Sequence, residues 1–223
     1  VALESGKYTT RSQFNTHPGS YRVHNKVITD HHDYGVIDLG TIITKSSNVG
    51  TTQIALSLPA DTLPTFFARF GFGKTTGSGF PGESAGRLQP PERWRPVEIA
   101  TMSYGYGLTT TALQLAHGYA TLASGGIARP VSFTRVDGPV RGERVIAEDI
   151  ARKLIPMMES VVTQDGTAMR AAVPGYRIAG NKQHELNESQ IAPIAYRSAL
   201  AAREGATVVG RGGHGPLWSA EEP

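Results

Sequence analysis

Two serines and an asparagine, Ser46, Ser47 and Asn48, stand together in the segment ITKSSNVGTTQIAL, between two apolar runs that each favour a helix. A serine hydroxyl can attack a carbonyl or relay a proton, and an asparagine amide both donates and accepts hydrogen bonds. A joint between helices needs only a cap, for which Ser47 or Asn48 is suitable. Taken alone, the pattern Ser-x-Asn therefore favours a cap over a catalytic site.

A second pattern, ARFGFGKT at residues 68–75, fits a relaxed form of the phosphate-binding loop, with Ala68 where the first glycine usually stands. A true loop of this kind follows a buried strand and cradles phosphate with backbone N–H groups before a helix. Here the preceding segment is typical of a helix, and Phe70 and Phe72 occupy positions that need small residues. We interpret the segment as a glycine turn after a helix, with nucleotide binding as a minor alternative.

Metal and thiol chemistry have little support in the sequence. The histidines show no spacing typical of a zinc site, and the adjacent His31 and His32 would point apart in most backbones. The chain has no cysteine, which excludes disulfides, thiolate catalysis and cysteine metal ligands. We predict neither a metal site nor a cofactor.

The composition is that of a globular protein. The 223 residues are long enough to bury a core, and 39% are hydrophobic and 18% charged. The formal net charge is +3 and the basic residues are scattered, which argues against a nucleic-acid binder with a basic stripe. No apolar run approaches the roughly 20 residues of a membrane span. The start at Val1, without a visible signal peptide, suggests a fragment or a processed product.

The elements around the Ser-Ser-Asn triplet follow from hydrophobic periodicity and turn residues. A hairpin is predicted near Val23, Val27 and Ile28. A long Gly- and Pro-rich loop is expected at residues 71–96. Helices are predicted at residues 36–44, 49–58, from 61 to about 70, 111–124 and 150–161, with Pro156 as a kink. Strands are predicted at 131–136 and 176–179.

Several other segments, taken together with the triplet, indicate a function that the triplet alone does not. TKSSNVG is followed by RFGFGKTTGSGFPGE, by SYGYGLTTTALQLAHGYATLASGG and by GYRIAG. In this order they resemble the transpeptidase domain of class B penicillin-binding proteins, in particular the septal, cell-division member, over about residues 1–180. The resemblance implies an α/β fold of the penicillin-recognising serine transpeptidase type, with helices around an antiparallel sheet.

The same resemblance implies a mechanism and a site. A serine of an S-x-x-K motif attacks the carbonyl between two D-alanines of a peptidoglycan stem peptide, and β-lactams are trapped at the acyl stage. By the match, Ser46 and Asn48 are catalytic, as the serine and asparagine of S-x-N. Ser47 is the variable middle residue of the substrate site, where a structural role is favoured. The segment Tyr104, Gly105, Tyr106 and Gly107 would line the substrate region, although a core role suits either tyrosine equally.

Two of the three family motifs are absent from the printed sequence. The S-x-x-K motif is expected just before Val1, and the K-T-G or K-S-G motif is expected after GYRIAG, where Asn181, Lys182, Gln183 and His184 stand instead. The KTTG at residues 74–77 lies in the wrong place for it. We therefore predict a partial transpeptidase domain at 1–180, inactive alone. Residues 181–223 are predicted to be a tail without family resemblance, translated out of frame, disordered or diverged.

The expected partners are peptidoglycan stem peptides, β-lactams and divisome proteins, without nucleic acid. The resemblance places the parent protein at the periplasmic face of the bacterial inner membrane, through a single N-terminal anchor that this sequence does not contain. Two alternatives remain open at this point: a non-catalytic binding or scaffold remnant that contacts divisome partners or glycan, and a nucleotide-binding protein that uses residues 68–75.

Overall fold

A computed structural model of the chain describes residues 1–172 and 177–180. Its first part is a set of short antiparallel strands that lead into two helices. Strand β1 (Gln13–Asn15) pairs with β4 (Val36–Asp38), and β2 (Ser20–Val23) pairs with β3 (Lys26–Thr29). Helix α1 (Leu39–Lys45) and helix α2 (Asn48–Leu56) follow directly. This mixture of helices and antiparallel strands confirms the predicted α/β class.

The second part is largely helical. Helix α3 (Thr62–Arg69) precedes the long glycine loop, which ends in a 3₁₀ turn at Pro91–Arg93 and helix α4 (Pro96–Met102). Helix α5 (Ala112–Ala123) begins with a capping box in which Thr111 and Gln114 bond reciprocally. Strands β5 (Ile127–Ala128) and β6 (Glu143–Arg144) pair before helix α6 (Glu148–Ser160), and a last 3₁₀ turn covers Met169–Ala171.

The buried side chains explain how this order of elements folds. One apolar cluster joins β1, β4, α1 and α2 through Phe14, Ile37, Leu39, Ile42 and Ile54. A second joins α2, α3 and α4 through Ala55, Leu63, Trp94, Ile99 and Met102. Helix α2 contributes to both clusters and is therefore the centre of the core, which places the Ser-Ser-Asn triplet at the start of a well-packed helix.

Several sequence predictions are confirmed. The hairpin around Val23 and Ile28 is β2–β3. Helix α3 begins beside Asp61, and its Phe66 and Phe70 rings stack with centroids 5.1 Å apart. Helix α5 is capped by Thr111, and Pro156 lies inside α6. The glycine loop is tied to α5 because the buried Gln114 amide donates to Lys74 O and Ala85 O, at 2.6 and 2.8 Å.

Other sequence predictions are wrong. Residues 131–136 do not form a strand: Pro130 lacks a backbone N–H, and the Ser132 hydroxyl turns back to Thr134. The predicted helix at 36–44 begins three residues later, because residues 36–38 pair with β1. Helix α4 was not predicted, although Pro96 at its first position and Glu98 in its first turn are typical signals.

The end of the family resemblance is only partly described. Arg177, Ile178 and Ala179 form no strand, although Ile178 and Ala179 pack on Met158 of α6. Tyr176 and the predicted tail at 181–223 lie outside the described residues. Within the described part of the chain, none of the helices has the length and apolar character needed to cross a membrane.

Candidate active site

The triplet forms the tight turn between α1 and α2. Ser46 has left-handed backbone angles, φ 53° and ψ 47°, and its N–H caps α1 by bonding to Ile43 O at 3.2 Å. Ser47 is extended, and its N–H bonds to Ile42 O at 2.9 Å. Helix α2 begins at Asn48. The two helices are therefore joined with no intervening loop, so the three side chains have fixed backbone positions.

A buried polar bridge locks this turn to the preceding hairpin. Ser47 is 1% exposed, and its hydroxyl donates to Asp30 Oδ2 at 2.6 Å while it accepts from the Gly50 N–H at 2.9 Å. The other oxygen of Asp30 accepts from the Val49 N–H at 3.0 Å. Ser47 is thus the N-cap of α2, and its hydroxyl is used inside the protein. Asp30, in the segment DHHDYG, gave no signal of this contact in the sequence.

Ser46 and Asn48 flank this bridge and stay partly exposed. The Ser46 hydroxyl lies 3.3 Å from that of Thr167, in the loop after α6. The Asn48 amide nitrogen donates to Thr29 O at 3.0 Å, at the end of β3. Among the described residues no donor bonds to the Asn48 side-chain oxygen, an atom that can accept from an amide N–H.

The second predicted element of the site, residues 104–107, lies on the other side of the same hairpin. Tyr104 is half-buried against Ala100, Val23 and Ile28. Burial raises the pKa of the Tyr104 phenol. Strand β3 connects the two elements, because Ile28 lies beside the Tyr104 cluster while the carbonyl of the next residue, Thr29, holds Asn48.

The other three residues of this segment, Gly105, Tyr106 and Gly107, are exposed to solvent. Tyr106 is 43% exposed, and its ring lies 5.5 Å from that of Tyr104, centroid to centroid. Gly105 and Gly107 both have positive φ, 100° and 85°, in a region that favours glycine. The glycines thus shape a turn that presents Tyr106 outward while Tyr104 faces the core.

Residues 68–75 do not have the arrangement of a phosphate-binding loop. They begin inside α3 rather than after a strand, and Gly71 and Gly73 make the turn that ends this helix, with φ of 86° and 80°. No helix begins between Thr75 and Pro91, a stretch that lies wholly inside the described residues. Three or more potential metal ligands do not come together anywhere in the described part of the chain.

Comparison with known proteins identifies the fold. Residues 1–181 match the family described as the penicillin binding protein transpeptidase domain, which is most of the chain. The chain belongs to this family. The resemblance read from TKSSNVG, SYGYG and GYRIAG is therefore confirmed.

The similar proteins include peptidoglycan D,D-transpeptidases. FtsI of Escherichia coli K12, named a peptidoglycan D,D-transpeptidase, is 46% identical over 179 residues, which is 80% of this chain and 30% of FtsI. The protein of Neisseria meningitidis serogroup A named "Probable peptidoglycan D,D-transpeptidase PenA" is 40% identical over 177 residues, 79% of this chain and 30% of PenA. The chain thus spans about a third of these relatives.

A solved structure shows the same fold. The transpeptidase domain of penicillin-binding protein 3 from Burkholderia pseudomallei superposes with a TM-score of 0.77 at 38% identity, over 85% of this chain and 59% of that chain. The helix pair around Ser46 and Asn48 therefore belongs to a penicillin-binding transpeptidase domain.

Proposed function

We propose that this chain supplies the S-x-N part of a peptidoglycan D,D-transpeptidase that crosslinks stem peptides in septal cell-wall synthesis. Family membership and the 46% identity to FtsI support this proposal. The observation that carries it is the joint itself. The buried Ser47–Asp30 bridge fixes the turn, while Ser46 and Asn48 on either side keep exposed, neutral hydrogen-bonding groups.

In the proposed reaction, the serine of S-x-x-K attacks the carbonyl carbon between two D-alanines. The new ester forms as the C–N bond breaks, and the departing D-alanine amine takes up a proton. Ser46 would bond to the lysine of that motif and relay the proton to the leaving amine. Asn48 would orient the substrate by accepting from its backbone amide through the side-chain oxygen. An amine of a neighbouring strand then attacks the ester and releases the serine.

Tyr104, Gly105, Tyr106 and Gly107 would border the substrate region, with Tyr106 as the side chain that reaches solvent. Its exposed ring, next to glycines with little bulk, supports contact with a peptide or a β-lactam side chain. Ser47 would act on substrate only through the turn that it stabilises. These roles follow from the matching positions of the family motif and from the local geometry.

The remaining parts of the proposal concern the parent protein. The partial transpeptidase domain would end near residue 180, and residues 181–223 would not contribute to the site. The parent would act at the periplasmic face of the inner membrane, held there by an N-terminal anchor, and would contact divisome proteins. Support for this location comes from the relatives, which are named as enzymes of bacterial cell-wall synthesis.

A chimera tests the proposal. Residues 1–180 would replace the matched segment of E. coli FtsI, so that the rest of that protein supplies the flanking motifs. We expect the chimera to form a covalent adduct with fluorescent penicillin and to support division when FtsI is depleted. Ser46→Ala and Asn48→Ala should each reduce the acylation rate by about 10²-fold or more, because each removes a group that acts during proton transfer or orientation.

Two controls separate chemistry from folding. Ser57→Ala, also at a helix end, removes a hydroxyl that within residues 1–172 and 177–180 bonds to Tyr8 and to the Ile54 carbonyl, and this substitution should leave acylation unchanged. The 223-residue chain by itself should form no adduct. A folded chimera that takes up no penicillin, or one in which Ser46→Ala and Asn48→Ala acylate at the unsubstituted rate, would contradict the proposal.

A further inference from the structure

The last residue of α6, Ser160, and the loop that follows it, residues 161–168, contact the end of α1 at several points. The Lys45 ammonium donates to Asp165 O at 2.6 Å. The Thr44 hydroxyl contacts that of Ser160. The hydroxyls of Ser46 and Thr167 lie 3.3 Å apart. Three consecutive residues, including the first residue of S-x-N, are therefore held against one short segment more than a hundred residues away in the chain.

This loop is closed on itself and is well suited to hold a side chain in place. The Ala168 N–H bonds to Val161 O at 2.9 Å, and the Gly166 N–H bonds to Thr163 O at 3.0 Å. Val161 is fully buried and anchors the loop to the core. At Gly166 a Cβ would lie 2.1 Å from Val161 O, so only glycine fits this closed turn. Thr167 is thus presented to Ser46 by a segment with little freedom.

The contact with Thr167 matters because the Ser46 side chain could otherwise rotate and place its hydroxyl in different positions. A serine hydroxyl has one proton and two lone pairs, and without a partner it rotates among three staggered positions. The left-handed backbone of Ser46 fixes its Cα–Cβ bond but not this rotation. A single contact with Thr167 selects a rotamer and leaves the other lone pair, or the proton, for a second group.

We propose that Thr167 is a positioning residue for acyl transfer: its hydroxyl holds that of Ser46 in the orientation needed to exchange a proton with the catalytic lysine. The inference rests on the proposed function, because it assigns a role to Thr167 through Ser46. Thr167 lies in the segment TQDGTAM, which carried no signal of catalysis in the sequence.

The first test measures acylation in the FtsI chimera. Thr167→Val keeps the shape of the side chain and removes the hydroxyl, and it should lower the rate of penicillin acylation about five- to tenfold, the effect of one neutral hydrogen bond. Thr167→Ser restores the hydroxyl and should acylate within about twofold of the unsubstituted chimera. This rescue is not expected if Thr167 acts only by packing.

A matched control lies in the same loop. The Thr163 hydroxyl donates to Ser160 O at 2.7 Å, whereas the Ser46 hydroxyl contacts that of Thr167. Thr163→Val should lower the melting temperature as much as Thr167→Val or more, while the acylation rate stays unchanged. Equal acylation by the Thr167→Val and unsubstituted chimeras would overturn the proposal.

The second test needs no activity and uses the 223-residue chain. Three-bond couplings between the α and β protons of Ser46 report its rotamer in solution. We expect a single rotamer in the unsubstituted chain and in Thr167→Ser, and averaged couplings in Thr167→Val. Averaged couplings in the unsubstituted chain, or a single rotamer in all three, would overturn the proposal. A chimera without acylation would count against the proposed function, and this measurement would still decide the role of Thr167.

Discussion

The Ser46–Asn48 joint and the Tyr104–Gly107 turn belong to one predicted site but are held in different ways. The joint is fixed by polar side-chain contacts to two other segments of the chain, to the consecutive residues Thr29 and Asp30 and to Thr167. The turn is held by the half-buried ring of Tyr104 and by backbone bonds to α4, from the Gly105 N–H to Met102 O and from the Tyr106 N–H to Thr101 O, both 3.1 Å, while the Tyr106 side chain is 43% exposed. This difference fits the proposed roles, because side chains that take part in a reaction need one geometry, whereas the wall of a binding site can adjust to its ligand.

The largest effect is expected at Asp30. Asp30→Ala removes the acceptor of the Ser47 hydroxyl and of the Val49 N–H, both in the buried turn, and should lower the free energy of unfolding by about 2–3 kcal/mol. Chemical denaturation of the 223-residue chain measures this. As a control, Asp33→Ala removes a solvent-exposed carboxylate that accepts from the Gly35 N–H and should cost clearly less. Equal losses of unfolding free energy in Asp30→Ala and Asp33→Ala would mean that the bridge between Asp30 and Ser47 does not stabilise the joint more than an exposed contact would.

A smaller effect tests how tightly the joint is packed. In Gly50→Ala the new Cβ would lie 2.6 Å from Ile42 Cγ1 and 2.7 Å from its Cδ1, so α1 and α2 must separate slightly. We expect a net loss of about 1–2 kcal/mol, because overpacking outweighs the helix preference of alanine. Gly40→Ala, in α1, meets its nearest atom at 3.6 Å and should be neutral or stabilising. A stabilising Gly50→Ala would show that the joint has spare room.

The N-cap of α1 gives a pH-dependent prediction. The Thr41 N–H donates to Asp38 Oδ1 at 2.8 Å, and this backbone bond is the main cause of the lowered pKa of Asp38. A lowered pKa in the folded state stabilises the chain above the unfolded pKa, near 3.9, and this contribution is lost as the pH falls through the folded value.

Substitutions at the same position separate the cap from the charge. Asp38→Ala should cost about 1 kcal/mol at pH 7. Asp38→Asn should keep most of the cap and remove this part of the acid dependence. Unfolding curves at pH 7 and pH 3 measure both quantities, and an unchanged acid dependence in Asp38→Asn would refute the assignment.

The smallest effect is expected in the turn. Tyr104→Phe keeps the ring that packs on Val23 and Ile28 and removes only the hydroxyl. The free energy of unfolding should therefore change by less than about 0.5 kcal/mol. The raised pKa of this phenol should disappear from an ultraviolet titration at the same time. A large loss of stability would show that this turn, like the joint, depends on a polar contact.

The sequence predicted local elements better than the contacts between them. Helices α2 and α5 begin with side-chain caps, Ser47 and Thr111, and α3 has a periodic apolar face, so the existence and approximate bounds of these helices could be predicted. The predicted strand at 131–136 failed because alternation continued past Pro130 into an exposed turn. The predicted start of α1 was wrong because residues 36–38, which fit a local helical pattern, pair with β1 instead.

The site was predictable only in part, for a similar reason. Ser46 and Asn48 stand in a recognisable motif, but their partners Thr29 and Thr167 lie 19 and 121 residues away in the chain. Such contacts depend on how β3 and the loop after α6 approach the joint, and no periodic pattern encodes this. The same holds for Asp30, whose role became visible only through its hydrogen bonds to Ser47 and Val49.

The left-handed backbone of Ser46 limits which residues can replace it. Asparagine and glycine tolerate these angles but carry no hydroxyl, whereas threonine keeps the hydroxyl but is β-branched and strained there. Under the proposed function, serine alone among the standard residues would satisfy both the turn and the proton relay. If the parent protein crosslinks peptidoglycan as proposed, resistance to β-lactams through a single replacement at this position would therefore cost either the fold or the reaction.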